Sequence, residues 1–475
     1  MSRQNLQHPT NLVGLASELN ARGHHAVVLD LEVAPGGLDA LEEALATHEP
    51  ELVGVSVVTP HVPGAGELLA RVKARRPDVA TIAGGPHATA LPADLLDEIP
   101  ALDAVCVGEG DRTLVEVADA LEAGRPLGEV VGLHLRHGGA TGVRDPLEDL
   151  DELAPLDRTL LDWSAYERLG GHKGVASPGI IRKGIRAAQV HLSRGCYARC
   201  VFCSTNAVWG ERARPGIRRR SLECVLAEID ELIGRWGCNH LNFEDDIFPP
   251  TLRYLEELGE ELLARPVTWS CNARVDGLKR EHFELMAASG CIKIDFGVES
   301  GSERILELNQ KLVTRERVVT VFAEAQRVGI LRTAYLMLGS HVDETPEEVE
   351  LTRRLAKEID PDYLTFTIAC PYPGTELWTE CKARGYLELK DDGRPDWARY
   401  GYYPGLPPWR FEHFSPEEMI AAQKRFLRSF YLSPRFAWKA LRRVRSVDHL
   451  KALVVAGLDV THFLKTHVSA KAPRR

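Results

Sequence analysis

Cys196, Cys200 and Cys203 stand in the segment SRGCYARCVFCSTNAVWG. The spacing, three residues and then two, puts three thiols on one short loop just after an apolar run at 187–192 that reads as a strand. Three thiolates on one loop can converge on a small volume. A structural zinc site takes four ligands, commonly as two pairs, and no second CxxC occurs in the chain. A 4Fe–4S cluster can take three thiolates and keep one iron open to a substrate or cofactor. Redox-active thiols and chance proximity are the other readings of this loop alone. The remaining seven cysteines, at 106, 224, 238, 271, 291, 370 and 381, are scattered, mostly in apolar stretches. They read as buried thiols rather than a disulfide framework.

Other candidate groups close predicted strands further along. Asn242-Phe243-Glu244-Asp245-Asp246 ends a strand expected at 239–243. Its carboxylates either complement a positive charge or form a solvated turn. Arg274, after a strand at 267–271, either pairs with a carboxylate or lies on the surface. Gly297-Val298-Glu299-Ser300-Gly301, followed by Leu306 and Lys311, closes a strand at 292–298, and Pro371-Tyr372-Pro373-Gly374-Thr375 is a Pro/Gly turn after a strand at 363–369. In the first 125 residues the strand ends carry glycine instead: Gly54–Ser56, Gly84-Gly85-Pro86-His87-Ala88 and Gly108-Glu109-Gly110. Glycine there lets backbone approach a ligand closely, although a Gly-Gly pair is also a common tight turn.

A scaffold that gathers strand ends is needed to position these residues. Residues 1–125 alternate apolar runs at 26–31, 52–58, 80–83 and 104–107 with helical patterns such as 64–74. That alternation predicts a doubly wound, Rossmann-like parallel sheet, with ligands beyond the carboxyl ends of its strands. The chain opens on a loop and a helix, Leu12–Arg22, with no strand ahead of them. Residues 126–185, with Gly170-Gly171, read as a linker. Residues 186–385 resume the alternation, with a further strand at 333–338; six units in ~200 residues suit a partial (β/α)6 barrel better than a complete eight-unit one. Residues 386–475 lose strand character; Pro404, Pro407 and Pro408 break the chain, and helices follow from Pro416. The fold class is therefore α/β with a C-terminal helical region.

Composition narrows the function classes. Of 475 residues, 44% are hydrophobic and 27% charged, which excludes disorder over the whole chain and a collagen-like repeat. No apolar run reaches the ~18 residues of a membrane span, and the first residues lack the apolar core of a signal peptide, so a cytoplasmic location is expected. The net charge of −10 argues against nucleic acid as the main partner and favours a small-molecule substrate. Arg442, Arg443, Arg445, Arg474 and Arg475 make the tail locally basic, which reads as a solvated helix face.

The order CxxxCxxC, acidic strand end, Arg274, GVESG with Leu306 and Lys311, then PYPGT resembles the radical S-adenosylmethionine (SAM) superfamily. The resemblance implies a 4Fe–4S cluster on Cys196, Cys200 and Cys203, its open iron chelating SAM. It implies Phe202 near the adenine, Asp245 or Asp246 near the SAM ammonium, Arg274 near its carboxylate, and Glu299 and Ser300 toward the ribose and methionine. A reducing partner such as flavodoxin or ferredoxin is implied with it. One departure is the loop Gly339–Thr345, where the family usually has a shorter GxPGET. The glycine-rich first region resembles the cobalamin-binding domain of cobalamin-dependent radical SAM enzymes. Ser56, Thr59, Gly84, Gly85, His87, Gly108 and Glu109 would then line the slot for the nucleotide tail. The DxHxxG motif is absent, since Leu6 and Asn11 flank His8 where Asp and Gly would stand, so any cobalamin would bind base-off without a protein histidine. The first strand of that domain is also missing. The expected activity is methylation of an unactivated carbon, or of phosphorus, in a small molecule. The alternatives are a non-methylating cyclisation, rearrangement or oxidation, and a non-enzymatic iron–sulfur protein, against which the barrel motifs speak. A tRNA methylthiotransferase is rejected: such relatives carry a second tri-cysteine cluster and a basic C-terminal RNA-binding domain.

Overall fold

The computed structural model describes residues 6–169, 184–209, 216–401, 405–442, 444 and 457. Gly170-Gly171, Pro404, Arg443, Arg445, Arg474 and Arg475 lie outside the described residues. Two main sheets organise the rest. The first holds β1 (Leu52–Ser56), β2 (Ala80–Gly84), β3 (Ala104–Cys106), β4 (Leu133–Leu135) and β5 (Gly139–Ala140), in that spatial order. β1, β2 and β3 run parallel, and β4 and β5 extend the sheet antiparallel as far as Ala140.

The second sheet holds β6 (Ala187–Val190), β7 (His240–Phe248), β8 (Thr268–Arg274), β9 (Cys291–Glu299), β10 (Leu331–Leu338) and β11 (Tyr363–Ile368). All pairs are parallel and neighbours follow chain order, which is the topology of a partial (β/α)6 barrel. Each return needs a helix because a parallel pair cannot be joined by a tight hairpin. The first return helix, Leu222–Gly234, starts where Ser221 Oγ accepts the Cys224 N–H, and buries Val225, Ile229 and Leu232. Trp269, Phe243 and Phe248 pack together in the core on the face of the strands opposite Asn242 and Ser270, with ring centroids 5.5–5.6 Å apart, and Trp269 Nε1 donates to the Ser289 carbonyl at the end of a return helix. Beyond β11, the helix Pro416–Tyr431 covers the last strand by stacking Phe426 on Phe366 at 3.8 Å. The helix Pro434–Arg442 follows. Among the described residues no helix is long and apolar enough to cross a membrane.

One expected strand is not formed. Residues 26–31 make no ladder, and β1 is the edge of its sheet. The two segments line a common cavity without pairing. Asn20 takes the place of a strand partner at Ala26, donating from Nδ2 to its carbonyl at 3.2 Å and accepting its N–H at 2.7 Å. Leu29 packs against the cluster of Leu41, Leu45, Val72 and Val79, while Val27 stays exposed. An apolar run makes a segment extended, but only a neighbouring strand makes it part of a sheet.

Candidate active site between the first sheet and the barrel mouth

The cysteine loop begins one turn beyond β6. Gly195 is left-handed (φ +96°), and a Cβ there would meet the Gly216 carbonyl oxygen at 3.2 Å. Cys200 is buried, and Cys196 and Cys203 are half-buried. Cys203 N donates to the Cys200 carbonyl at 3.0 Å, and Ala198 N lies 3.4 Å from Cys196 Sγ. Burial pushes the Cys196 and Cys200 thiols up; Arg274 opposes this at both and Lys311 at Cys200. Arg274 Nη1 lies 4.0 Å from Cys200 Sγ. Among the described residues the three sulfurs do not gather within 4.8 Å of one another. Thiolates around one zinc, with Zn–S near 2.3 Å, would sit at roughly 4 Å. Three thiols on one loop beside two cations, with no fourth thiol on a second pair, are the donor set of an iron–sulfur cluster that keeps one iron open.

Arg274, Glu299 and Lys311 gather beside Cys200. Arg274 donates from Nε to Asp276 Oδ1 at 2.8 Å and from Nη2 to the Lys311 carbonyl at 2.8 Å, and lies over the Tyr197 ring. Lys311 Nζ donates to Glu299 Oε1 at 2.9 Å, with both side chains almost out of water. A Cβ on Gly297 would lie 2.6 Å from Glu299 Oε1 and 3.1 Å from Lys311 Nζ, so the glycine makes room for the pair. Glu299 itself is left-handed at φ +65°, a conformation that costs free energy outside glycine and gathers at functional sites. Phe202, half-buried, packs against the main core. Ser300 is fully buried; its Oγ accepts the Ser302 N–H at 3.2 Å and meets Thr352 Oγ1 at 3.3 Å. It serves the packing of the following helices rather than the mouth.

The acidic end of β7 divides by parity. Asn242, Glu244 and Asp246 are the less buried residues, and Phe243, Asp245 and Ile247 the buried ones, as alternation along a strand requires. Asp245 Oδ1 accepts from Leu192 N at 2.9 Å and Ser193 Oγ at 2.7 Å, and burial pushes its carboxyl up to about 7. Asp246 Oδ2 accepts from Gly195 N at 2.9 Å. Both therefore hold the backbone that leads into the cysteines. Glu244, the middle residue of the acidic motif, accepts from Gln7 at 3.0 Å, Asn242 at 2.6 Å and Gln189 at 2.5 Å. It lines the cavity with His191, whose basicity burial lowers. The period-2 pattern was the signal that could have singled out Glu244.

That cavity has a volume of about 2020 Å³, larger than the 300–1,000 Å³ of an ordinary small-ligand pocket. Ser56, Gly84, Gly85, Gly108 and Glu109 line it from the sheet, and Ser193, Arg194, Glu244 and Asp246 from the barrel. Gly108, at φ +83°, has nothing within 4 Å of the position a Cβ would take. It is a cradle that any side chain would fill. Gly85 differs: at φ +97° its Cβ would meet Val57 N and O at 3.1 Å, so it permits a backbone crossing. Thr59 and His87 turn away from the cavity. His87 Nδ1 and Thr59 Oγ1 are 3.2 Å apart, the imidazole ring packs at 4.8 Å on Trp397, and burial lowers its pKa to about 4. Glu109 is bound by Arg194, Arg218 and the Leu147 N–H, so its carboxylate ties the first sheet to the segments that flank the cysteine loop. His8 is packed edge-on against Trp163 and Tyr166, at 4.4 Å from each ring.

The family described as "B12 binding domain" matches residues 2–118, and "Radical SAM superfamily" matches residues 190–356. An uncharacterized methyltransferase of Pyrococcus horikoshii is 30% identical over 434 residues, 90% of this chain and 88% of the relative. The anaerobic magnesium-protoporphyrin IX monomethyl ester cyclase of Rubrivivax gelatinosus is 28% identical over 476 residues, 95% of this chain and 79% of the relative. The solved structure of the radical SAM methyltransferase TsrM from Kitasatospora setae, with cobalamin and a [4Fe-4S] cluster bound, superposes with a TM-score of 0.70 at 18% identity. It covers 96% of this chain and 94% of that one.

Proposed function

This chain belongs to the B12-binding radical SAM proteins, and on that footing we propose that it methylates an unactivated carbon, or phosphorus, of a small molecule. One observation carries the reading. The glycine ends of the first sheet and the residues next to the cysteine loop face each other across one cavity. When bound, the cluster, SAM and cobalamin supply a carbon radical and a transferable methyl group. The chain supplies position. Cys196, Cys200 and Cys203 hold the cluster, and Arg274 donates toward the Cys200 sulfur. Glu299, fixed by Lys311, offers its second carboxylate oxygen to the ribose hydroxyls of SAM, with Phe202 toward the adenine. Gly108 leaves its space to the cobalamin, with Ser56 and Gly84 beside it. The reductant is a flavodoxin- or ferredoxin-type donor, and the location is the cytoplasm.

A second reading, a non-methylating ring closure, is favoured by the cyclase relative that matches 95% of this chain. The two part over the fate of the SAM methyl group. Anaerobically reconstituted protein is given reductant, hydroxocobalamin and methyl-labelled SAM. A methyltransferase forms S-adenosylhomocysteine, matching the bound cobalamin, as well as 5′-deoxyadenosine; a cyclase forms 5′-deoxyadenosine alone. Replacing Cys196, Cys200 and Cys203 together by Ala should remove the iron and all 5′-deoxyadenosine. Full iron in that variant would overturn the cluster assignment.

A further inference from the structure

Ser193–Arg194 and Arg218–Arg219 form a short antiparallel ladder that brackets the cysteine loop, Gly195 and Cys196 following Arg194 directly. Two of its guanidinium groups grip the segment after β3, at Glu109 in the loop and at Asp111 in the first turn of the helix Gly110–Glu122. Asp111 takes Arg194 in a fork, Nη1 to Oδ2 at 2.8 Å and Nη2 to Oδ1 at 3.1 Å. Glu109 Oε1 lies 3.3 Å from Arg194 Nη1 and 2.7 Å from Arg218 Nη2, and Glu109 Oε2 accepts from Arg218 Nη1 at 2.9 Å. Two cations face two carboxylates. The Glu109 side chain is 9% exposed, Asp111 11%, Arg218 13% and Arg194 27%.

An exposed ion pair would constrain little. This one is withdrawn from water, and the forked Arg–carboxylate contact fixes direction as well as distance. The gripped loop is the one that carries Gly108, whose missing side chain opens into the cavity. The gripping residue stands two positions before Cys196. A displacement at one end is therefore carried to the other through Arg194, which holds both Asp111 and Glu109 and runs directly into Gly195 and Cys196, while Arg218 holds Glu109 from the opposite strand of the ladder.

We propose that Arg194 is a positioning residue that couples the cobalamin loop to the cluster loop, so that filling one site tightens the other. The inference rests on the cofactor assignment above. Coupling between two binding sites is reciprocal and commonly five-fold or more. It is measured by titrating hydroxocobalamin against four reconstituted proteins: wild type, the triple Cys196/Cys200/Cys203→Ala variant, Arg194→Ala, and all four changes together. Wild type should bind hydroxocobalamin about five-fold or more tighter than the cluster-free variant. With Arg194→Ala that ratio should fall to about one while the iron content is kept. Arg194→Lys, which keeps the charge but not the fork, should fall between. Electron paramagnetic resonance of the reduced cluster should shift on adding hydroxocobalamin in wild type and not in Arg194→Ala. A ratio that survives Arg194→Ala overturns the proposal, as does an equal affinity with and without cluster in wild type. If Arg194→Ala loses iron, Asp111→Asn takes its place and should give the same loss of ratio; a full ratio there overturns the proposal. If none of the four proteins binds hydroxocobalamin, the methyltransferase reading falls, and this proposal with it.

Discussion

The two sheets prepare their sites by opposite means. The barrel sheet carries its site on side chains: three thiols, Arg274, and the Glu299–Lys311 pair for which Gly297 makes room. The first sheet contributes largely what it leaves out. Gly108 faces open space, and β1 is an edge strand half-exposed along its length, whereas β2 and β3 are buried. A large cofactor is held against backbone where side chains are absent, and a small reactive one is held by charged and sulfur ligands. Adding a side chain should therefore harm the first region, and trimming one should harm the second.

The largest expected effect tests the first half of that contrast. Gly108→Trp should fill the cradle and weaken hydroxocobalamin binding about 100-fold or more, a loss of about 3 kcal/mol, with iron content unchanged. Gly108→Asn, which tolerates the left-handed backbone, should keep the fold and lose less affinity. Gly85→Trp should act differently, lowering the melting temperature, because its Cβ meets the Val57 backbone rather than the cavity. Wild-type affinity in Gly108→Trp would place the cofactor elsewhere.

Trimming in the barrel should cost less. Glu299→Gln keeps the shape and an acceptor for Lys311 but removes the charge. SAM affinity, read by equilibrium binding to the reconstituted protein, should fall about 5- to 30-fold, or about 1–2 kcal/mol, with iron retained. An unchanged affinity would reduce the Glu299–Lys311 contact to a structural ion pair.

The sequence was most readable where information is local. The barrel strands are apolar runs with punctuated ends, and the sheet follows chain order. The three cysteines lie within eight residues. What escaped depends on distant partners. Residues 26–31 have the pattern of a strand, but no neighbouring strand pairs with them. Glu109 sits at a glycine-flanked strand end and reads as a ligand contact; its partners are Arg194, 85 positions away, and Arg218, 109 positions away. His87, beside Gly85, reads as part of the slot but packs on Trp397, 310 positions on. Asp245 is a different failure, since the alternation that turns it inward was already visible in NFEDD.

The smallest effect returns to the two sheets through pH. His87 in the first region is buried neutral, its pKa lowered from 6.5 to about 4 by burial. A depressed pKa contributes stability that is present above the unfolded value and is lost as pH falls toward the folded one. Asp245 in the barrel has its pKa raised from 3.8 to about 7, again by burial. Its contribution is present below the unfolded value and is lost as pH rises through 7. Acidification from about pH 7 to about pH 5.5 should thus cost about 1 kcal/mol through His87 and return a similar amount through Asp245. In wild type the two nearly cancel. His87→Gln, which can still meet Thr59, should lose less stability than wild type on acidification. Asp245→Asn, which can still accept from Leu192 and Ser193, should lose more. Melting curves of the reconstituted variants at the two pH values read the difference as a few degrees of opposite sign. Shifts of the same sign would mean that burial does not hold these two groups in the charge states assigned to them.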